Sequence, residues 1–253
     1  MHRPIAALSV MAAAACSTGL ETNLDGEVTL QLAAVNSAAP ASAAPQQIEL
    51  GSDVIVLQKV ELVLKEIELD GDDDACAGAD SASTDGCAEF ETGPMIVELP
   101  LDGSSAHGIT AQVAAGTYDE IEFEIHRPDD DTEADLAFLA QHPEFEDISI
   151  RVTGTWNGEP FVYVSRRGYE QEIEFATPFV MAEGAADLTL QVDVGRWFVN
   201  VAGTGLVDPR LALEGQAFDA LVDANIEASF DAFSTDDSSG HSSDDSSGHS
   251  TDD

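Results

Sequence analysis

The segment VIVLQKVELVLKEIELD, residues 54–70, carries the strongest secondary-structure signal of the sequence. Val60, Leu62 and Leu64 recur at every second position, and Ile67 and Leu69 resume the alternation further along. Because successive side chains of a β-strand point to opposite faces, this spacing indicates a strand with one buried face. Its length predicts either one long bent strand or two strands joined at a bulge.

Similar segments recur over residues 27–200 at intervals typical of all-β domains. After EVTLQL at 27–32 and a loop rich in alanine and proline at 36–47, strands are predicted at 90–100, 119–126, 147–155, 161–166, 170–176 and 187–195. The clearest hairpin surrounds Asn157-Gly158, because this pair readily adopts the positive φ angles of a type I′ turn. Residues 27–200 are therefore predicted to form a mainly-β domain.

Two segments favour helices instead. Residues 132–145, TEADLAFLAQHPEF, have Leu136 and Leu139 at helical spacing after a capping Thr132, which predicts a short helix over one edge of the sheet. Residues 201–233 are predicted to contain a C-terminal helix that covers an open end of the β-domain. Its apolar stripe comprises Phe218, Leu221, Ile226, Phe230 and Phe233.

The last residues, 234–253, repeat the pattern DDSSGHSS and contain no apolar side chain that could be buried. Such a composition predicts a disordered acidic tail. His241 and His249 lie between aspartates, so they are either weak transition-metal ligands or parts of a soluble spacer, and the spacer is favoured.

The first residues predict export. A positive start and an apolar run that ends in small residues before Cys16 are typical of a secretory signal peptide, assigned to residues 1–15. AAAAC at 12–16 resembles the lipobox of bacterial lipoproteins, although Ala13 stands where leucine is more common. The resemblance implies a lipid on Cys16, a linker over 16–26 and a location at the outer membrane, the cell surface or the periplasm. Ordinary cleavage that leaves a free thiol is the alternative.

The acidic stretch at 69–87 ends with the second of two cysteines, Cys76 and Cys87. With Cys16 lipidated, these two form an even pair in an oxidising compartment, which favours a disulfide. Zinc would need four ligands, and the ten intervening residues exceed the spacing of redox motifs. A disulfide-closed surface loop is the prediction.

The aspartates of the same loop raise the question of calcium. An EF-hand beginning at Asp70 fails, because Ala75 and Ser81 stand where glycine and glutamate are required. Two alternatives remain for these aspartates: a calcium site of another type, or an acidic loop that is only solvated. The composition favours the solvated loop. Its candidate ligands are Asp70, Asp72, Asp73 and Asp74.

Charge excludes several partners. Nine Lys and Arg against 49 Asp and Glu give a formal net charge of -40, which repels nucleic acids and anionic lipid surfaces. The 43% of hydrophobic residues nevertheless predict a folded core. The charge suits solubility in a saline habitat or association with divalent cations.

One stretch, AAGTYDEIEFEI at 114–125, adds a further signal together with VELVLKEIEL at 60–69 and LTLQVDVGRWF at 188–198. These segments resemble an uncharacterised family of bacterial and archaeal surface lipoproteins that carry a domain of unknown function. The resemblance implies an antiparallel β-sandwich of immunoglobulin or transthyretin type over about 27–200. Independently of the family, Tyr118 just before an alternating strand predicts a tyrosine corner at the periphery of the core.

Residues with catalytic signatures are missing from the sequence, which holds no nucleophile elbow, zinc-protease motif or phosphate loop. The scarce arginines are more informative: they form either a site for a carboxylate or sulfate ligand or cross-strand pairs with Glu122, Glu172 and Glu174. They are Arg127, Arg151, Arg166, Arg167 and Arg196. Trp156 at the hairpin tip is either a ligand contact or a packing residue.

The sequence thus predicts a non-enzymatic exported lipoprotein whose β-domain binds an extracellular protein or glycan, with Trp156, Arg166, Arg167 and Arg196 as candidate ligand contacts. The alternative is an extracytoplasmic protein that binds calcium or another divalent cation through the Asp70–Asp74 loop and the acidic tail.

Overall fold

The computed structural model describes residues 25–38, 46–71, 88–90, 93–182 and 184–234. The strands are β1 Asp25–Val35, β2 Gln47–Leu50, β3 Asp53–Gly71, β4 Ala88–Phe90, β5 Met95–Glu98, β6 Ser105–Ala114, β7 Gly116–Ile125, β8 Ile150–Trp156, β9 Glu159–Ser165, β10 Tyr169–Met181, β11 Ala185–Asp193 and β12 Phe230–Ser234. The helices are α1 Glu133–Leu139 and α2 Asp219–Glu227, with 3-10 turns at Pro143–Phe145 and Pro209–Leu211.

The strands form two sheets that face each other. The smaller sheet has the order β12-β11-β1-β6, and the larger has the order β10-β7-β3-β8-β9, with β2, β4 and β5 also paired to β3. Neighbouring strands run antiparallel, apart from β1 and β11, which pair in parallel. The predicted mainly-β antiparallel sandwich is confirmed, with this one parallel pair as an addition.

Strand β3 is the spine of the larger sheet. It is one continuous strand, and its register shifts between Leu57 and Lys59 and again between Lys65 and Ile67, where Glu66 has a φ of 49°. Each bulge moves the buried positions by one residue, which explains why the apolar alternation changes phase along the segment. The side chains that β3 buries on its inner face are Ile55, Leu57, Val60, Leu62, Leu64, Ile67 and Leu69.

The core lies between the inner faces of the two sheets. Leu30 of β1 and Leu190 of β11 are fully buried in the same cluster as the inner residues of β3. The rings of Phe123 and Phe230, one from each sheet, meet edge to face at 5.6 Å between centroids. Trp197 is also buried, and its indole N–H donates to Ser229 Oγ at 2.8 Å, so this polar group does not destabilise the core.

Tyr118 forms the predicted tyrosine corner. Its hydroxyl donates to the carbonyl oxygen of Ala114 at 2.9 Å, and its side chain is fully buried, so it belongs to the core itself and not to its periphery. The hairpin turn is confirmed as well, because Asn157 and Gly158 have φ angles of 50° and 86°.

Helix α1 lies on the outer face of the larger sheet. Thr132 caps it by accepting from the backbone N–H of Asp135 at 3.0 Å. Phe138 of the helix and Phe145 of the following turn pack on Val63 in a second, small apolar cluster. The predicted short helix is therefore confirmed, but it covers the central strand β3 and not an edge.

The C-terminal segment is less helical than predicted. Helix α2 ends at Glu227, and Phe230 and Phe233 lie on β12, which pairs antiparallel with β11. The open edge of β11 offers unpaired backbone groups, and pairing with them outweighs continuation of the helix.

Strands β2 and β6 were not predicted, and the segment 90–100 contributes β5 at its centre instead of one continuous strand. Among the described residues, neither helix has the length and the apolar composition of a membrane-spanning segment.

Candidate functional site

Several predicted site residues lie outside the described residues. These are Cys16, Cys76, Cys87, Asp72, Asp73, Asp74, His241 and His249. Lipidation, the disulfide and most of the calcium loop therefore stay predictions. Asp70 is described at the end of β3, where its Oδ1 accepts from the backbone N–H of Gly71 at 2.9 Å.

Four of the five predicted arginines pair with carboxylates, but with other ones than predicted; they are Arg127, Arg151, Arg167 and Arg196. Arg151 Nε lies 3.0 Å from Glu61 Oε2. Arg127 pairs with Asp147 at 3.7 Å, and Arg196 pairs with Asp193 at 3.9 Å. The structure brings Arg166 and Arg167 to one cleft, whose described lining residues do not include Arg196.

Trp156 is a packing residue in this structure. It lies opposite Glu159 across the hairpin and is half-buried against the main core. The packing interpretation of its position is therefore the one that the geometry favours.

The cleft beside Arg167 has a volume of about 170 Å³ and lies where the β9–β10 turn meets α2. Arg167 Nη2 lies 3.3 Å from Asp219 Oδ1, and its Nε pairs with Asp223. Tyr169 links the two elements further, because its hydroxyl donates to Asp223 Oδ1 at 2.9 Å and lies 2.9 Å from Ser165 Oγ. The network fastens α2 to the larger sheet.

The charges around Arg167 make this residue unsuitable as the cation of an anion site. Burial raises the pKa of Asp223, while a hydrogen bond from the Gly215 backbone N–H lowers the pKa of Asp219. Burial also raises the pKa of Tyr169, so its phenol stays neutral at ordinary pH. Because the two aspartates already neutralise Arg167, the predicted carboxylate or sulfate site finds no free cation in this residue.

A second feature lies on the outer face of β3, β7 and β10. Glu68, Glu122 and Glu172 stand in register across the three strands, and so do Asp70, Glu120 and Glu174 in the next row. These side chains point outward because they alternate with inward-facing residues such as Leu69 and Ile121. We call these two rows the acidic face: Glu68, Asp70, Glu120, Glu122, Glu172 and Glu174.

Like charges directly opposite each other destabilise a sheet. In the acidic face the effect is visible at Glu120, whose pKa is raised by burial and then by Glu122, Glu172 and other neighbouring carboxylates. A cleft of about 160 Å³ runs along the Glu68–Glu122–Glu172 row and is lined mainly by glutamates. The face therefore holds concentrated negative charge at some expense of stability.

The acidic face ends at a row that contains a lysine. Lys65 stands opposite Glu124, which stands opposite Glu170, and Lys65 Nζ lies 3.6 Å from Glu124 Oε2. Within the described part of the chain, no group of three or more His, Cys, Asp or Glu residues has the arrangement of a metal site. The acidic face is thus an extended charged surface without a preformed chelate.

The sequence carries a signal for this surface in the alternation of its acidic residues. Acidic residues stand at every second position over three stretches: 68 and 70, then 120, 122 and 124, and then 170, 172 and 174. Among 49 acidic residues, such repeats do not stand out until the strand register places them side by side.

No protein-family model, curated protein or solved structure matches this chain.

Proposed function

We propose that this chain is a non-enzymatic exported lipoprotein, anchored at Cys16, whose β-sandwich is a surface binding module. The acidic face is its binding surface, and the ligand is a positively charged segment of an extracellular protein. The observation that carries this proposal is the register of the acidic face, in which carboxylates of three strands stand opposite one another.

The acidic face has the physical properties of a docking surface for a cation. Its field attracts basic ligands over several ångströms and accelerates their association at low salt. The carboxylates also stand on paired strands of a sheet, which hold them more rigidly than loops would. A bound basic segment would relieve the repulsion within the rows, so that binding and folding support each other.

Charge-neutralising variants test this proposal. The triple variant Glu120→Gln, Glu122→Gln, Glu172→Gln removes three charges from the acidic face. The matched control Glu27→Gln, Glu49→Gln, Glu159→Gln removes three charges from exposed positions on other strands. Calorimetry with a synthetic oligolysine peptide should show an affinity loss of about tenfold for the first variant and less than about twofold for the control. Equal losses would mean that binding follows the total charge, which contradicts a specific binding surface.

Divalent-cation binding is the second candidate, and the position of one residue favours it. Asp70, a candidate calcium ligand in the sequence, stands in the same row as Glu120 and Glu174. Carboxylate oxygens are the ligands that calcium prefers. Titration with calcium chloride in the presence of high sodium chloride separates the two candidates, because a specific site retains saturable heat whereas diffuse attraction is screened. If Asp70→Asn leaves such heat unchanged, the row is not the calcium site.

A further inference from the structure

His126 lies between two carboxylates that belong to different elements. It follows the last residue of β7, and its Nδ1 lies 2.8 Å from Glu124 Oε1 on that strand. Its Nε2 lies 2.7 Å from Asp135 Oδ1 on α1. The side chain of His126 is 12% exposed and that of Asp135 only 2% exposed, so the contacts are largely shielded from water.

This geometry specifies a protonation state. A neutral imidazole carries one N–H, and a carboxylate only accepts, so a neutral ring can donate to one of the two partners. Both contacts become hydrogen bonds only when His126 is an imidazolium. The same charge also balances the carboxylate of Asp135, whose second oxygen already accepts from the hydroxyl of Thr132 at 2.8 Å.

His126 is fixed on the sheet side. Its backbone N–H donates to the carbonyl oxygen of Val63 on β3 at 2.8 Å. Asp135, the partner of His126, lies on α1 together with Phe138. Phe138 and Phe145 pack over the side chain of Val63, which points to the outer face of the sheet. The His126–Asp135 contact therefore ties α1 down over this small apolar cluster.

The surrounding charges come from each element packed around the ring. Strand β3 contributes Lys65 with its partner Glu66, β7 contributes Glu124, and α1 contributes Asp135. Beyond α1, His142 and Glu144 pair at 4.0 Å. Burial lowers the pKa of His126, but the hydrogen bonds and charges of Glu124 and Asp135 outweigh burial and raise it above 6.5.

We propose that α1 is a pH-responsive latch, which protonated His126 holds closed over Val63, Phe138 and Phe145 and which loss of that proton releases. The direction of the pH effect follows from the raised pKa of His126 in the folded state. Protonated His126 stabilises the closed position of α1 fully below the pKa that His126 has in the opened state. This stabilisation is lost as the pH rises through the pKa of His126 in the closed state. Release would uncover the apolar side chain of Val63 on the outer face of the larger sheet, together with those of Phe138 and Phe145.

Amide hydrogen exchange of residues 133–142 tests the latch, once rates are corrected for the intrinsic pH dependence of exchange. Between about pH 6 and about pH 9, the equilibrium constant for opening of α1 should rise. The rise should be about tenfold for each unit by which the pKa of His126 in the closed state exceeds its pKa in the opened state. In His126→Gln the opening constant should be insensitive to pH. The control His142→Gln removes a ring that packs on Phe138, so it can change the size of the constant, but it should keep the pH dependence of the unsubstituted protein. If His126→Gln keeps the same pH dependence, the proposal is wrong.

A measurement without substitution covers the case in which His126→Gln does not fold. The nitrogen-15 spectrum of the His126 ring at about pH 6 should show both ring nitrogens protonated. A neutral ring with a single N–H at that pH would overturn the proposal, since both carboxylate contacts would then have lost their donor.

Discussion

The outer face of the larger sheet has two halves that differ in the arrangement of their charges: like charges stand in register on one half, and opposite charges pair on the other. On one side of β3 lies the acidic face, where Glu68 stands opposite Glu122. On the other side, Glu61 of the same strand stands opposite Arg151, and Lys59 Nζ lies 2.6 Å from Glu61. We call this second region the paired half; it comprises the rows Lys59–Thr153–Val162 and Glu61–Arg151–Val164 of β3, β8 and β9.

The difference follows the burial of the carboxylates. Glu61 is 4% exposed and has two cations beside it, while the carboxylates of the acidic face lie at half-buried or exposed positions. An ionised group without a partner is far more destabilising when buried than when exposed. Among the described residues, Arg151, His126 and Arg167 each lie beside a carboxylate that is shielded from water, namely Glu61, Asp135 and Asp223.

The largest expected effect comes from breaking the paired half. Arg151→Met keeps the aliphatic stem but leaves the buried carboxylate of Glu61 with Lys59 as the only cation beside it among the described residues, so the free energy of unfolding should fall by about 2 kcal/mol. Urea unfolding measures it. The control Arg127→Met removes an exposed pair with Asp147 and should cost less than about 0.5 kcal/mol. Similar losses in both variants would show that burial of the carboxylate does not decide the effect.

A smaller effect of opposite sign is expected in the acidic face. Glu122→Lys places a cation between Glu68 and Glu172, so the free energy of unfolding should rise by about 1 kcal/mol. The control Glu49→Lys changes the net charge equally at an exposed position of β2 and should change stability by less than about 0.5 kcal/mol. A gain of equal size in Glu49→Lys would attribute the effect to total charge and remove the contrast between the halves.

The smallest effect concerns pH. Because its pKa is raised, Glu120 destabilises the fold when ionised, and this penalty disappears as the pH falls through the folded-state pKa above 4.5. Glu120→Gln should therefore be more stable than the unsubstituted protein near neutral pH, and this difference in stability should disappear in acid.

Asp102 provides the opposite case, since hydrogen bonds from Ser104 lower its pKa. Asp102→Asn should be the less stable protein near neutral pH, and that deficit should shrink in acid, as thermal melts across the pH range would show.

Sequence alternation was sufficient to predict the strands that have one strongly apolar side. Strand β3 was recognised from its pattern because its bulges shift the phase without interrupting the alternation. Strand β6 was missed because Ser105–Ala114 is built of small and polar residues. The segment after Glu227 was predicted as helix because aromatic spacing alone does not reveal that the edge of β11 is open.

The candidate site depended on contacts that the sequence does not encode locally. The acidic rows require the register of three strands, and Asp70 joins Glu120 only because β3 and β7 are paired with a bulge. The partners of Arg151 and Arg167 are separated from them by 90 and 52 positions. The rarity of arginine singles out these residues in the sequence, but it does not identify their partners.

The central claim is that the acidic face is a specific binding surface and not a part of a uniformly negative protein. Backbone amide chemical shifts during titration with an oligolysine peptide test it most directly. We expect saturable shifts concentrated at residues 66–71, 118–124 and 170–174, with little change in the paired half on β8 and β9. Shifts of similar size spread over both halves of the sheet would contradict the claim.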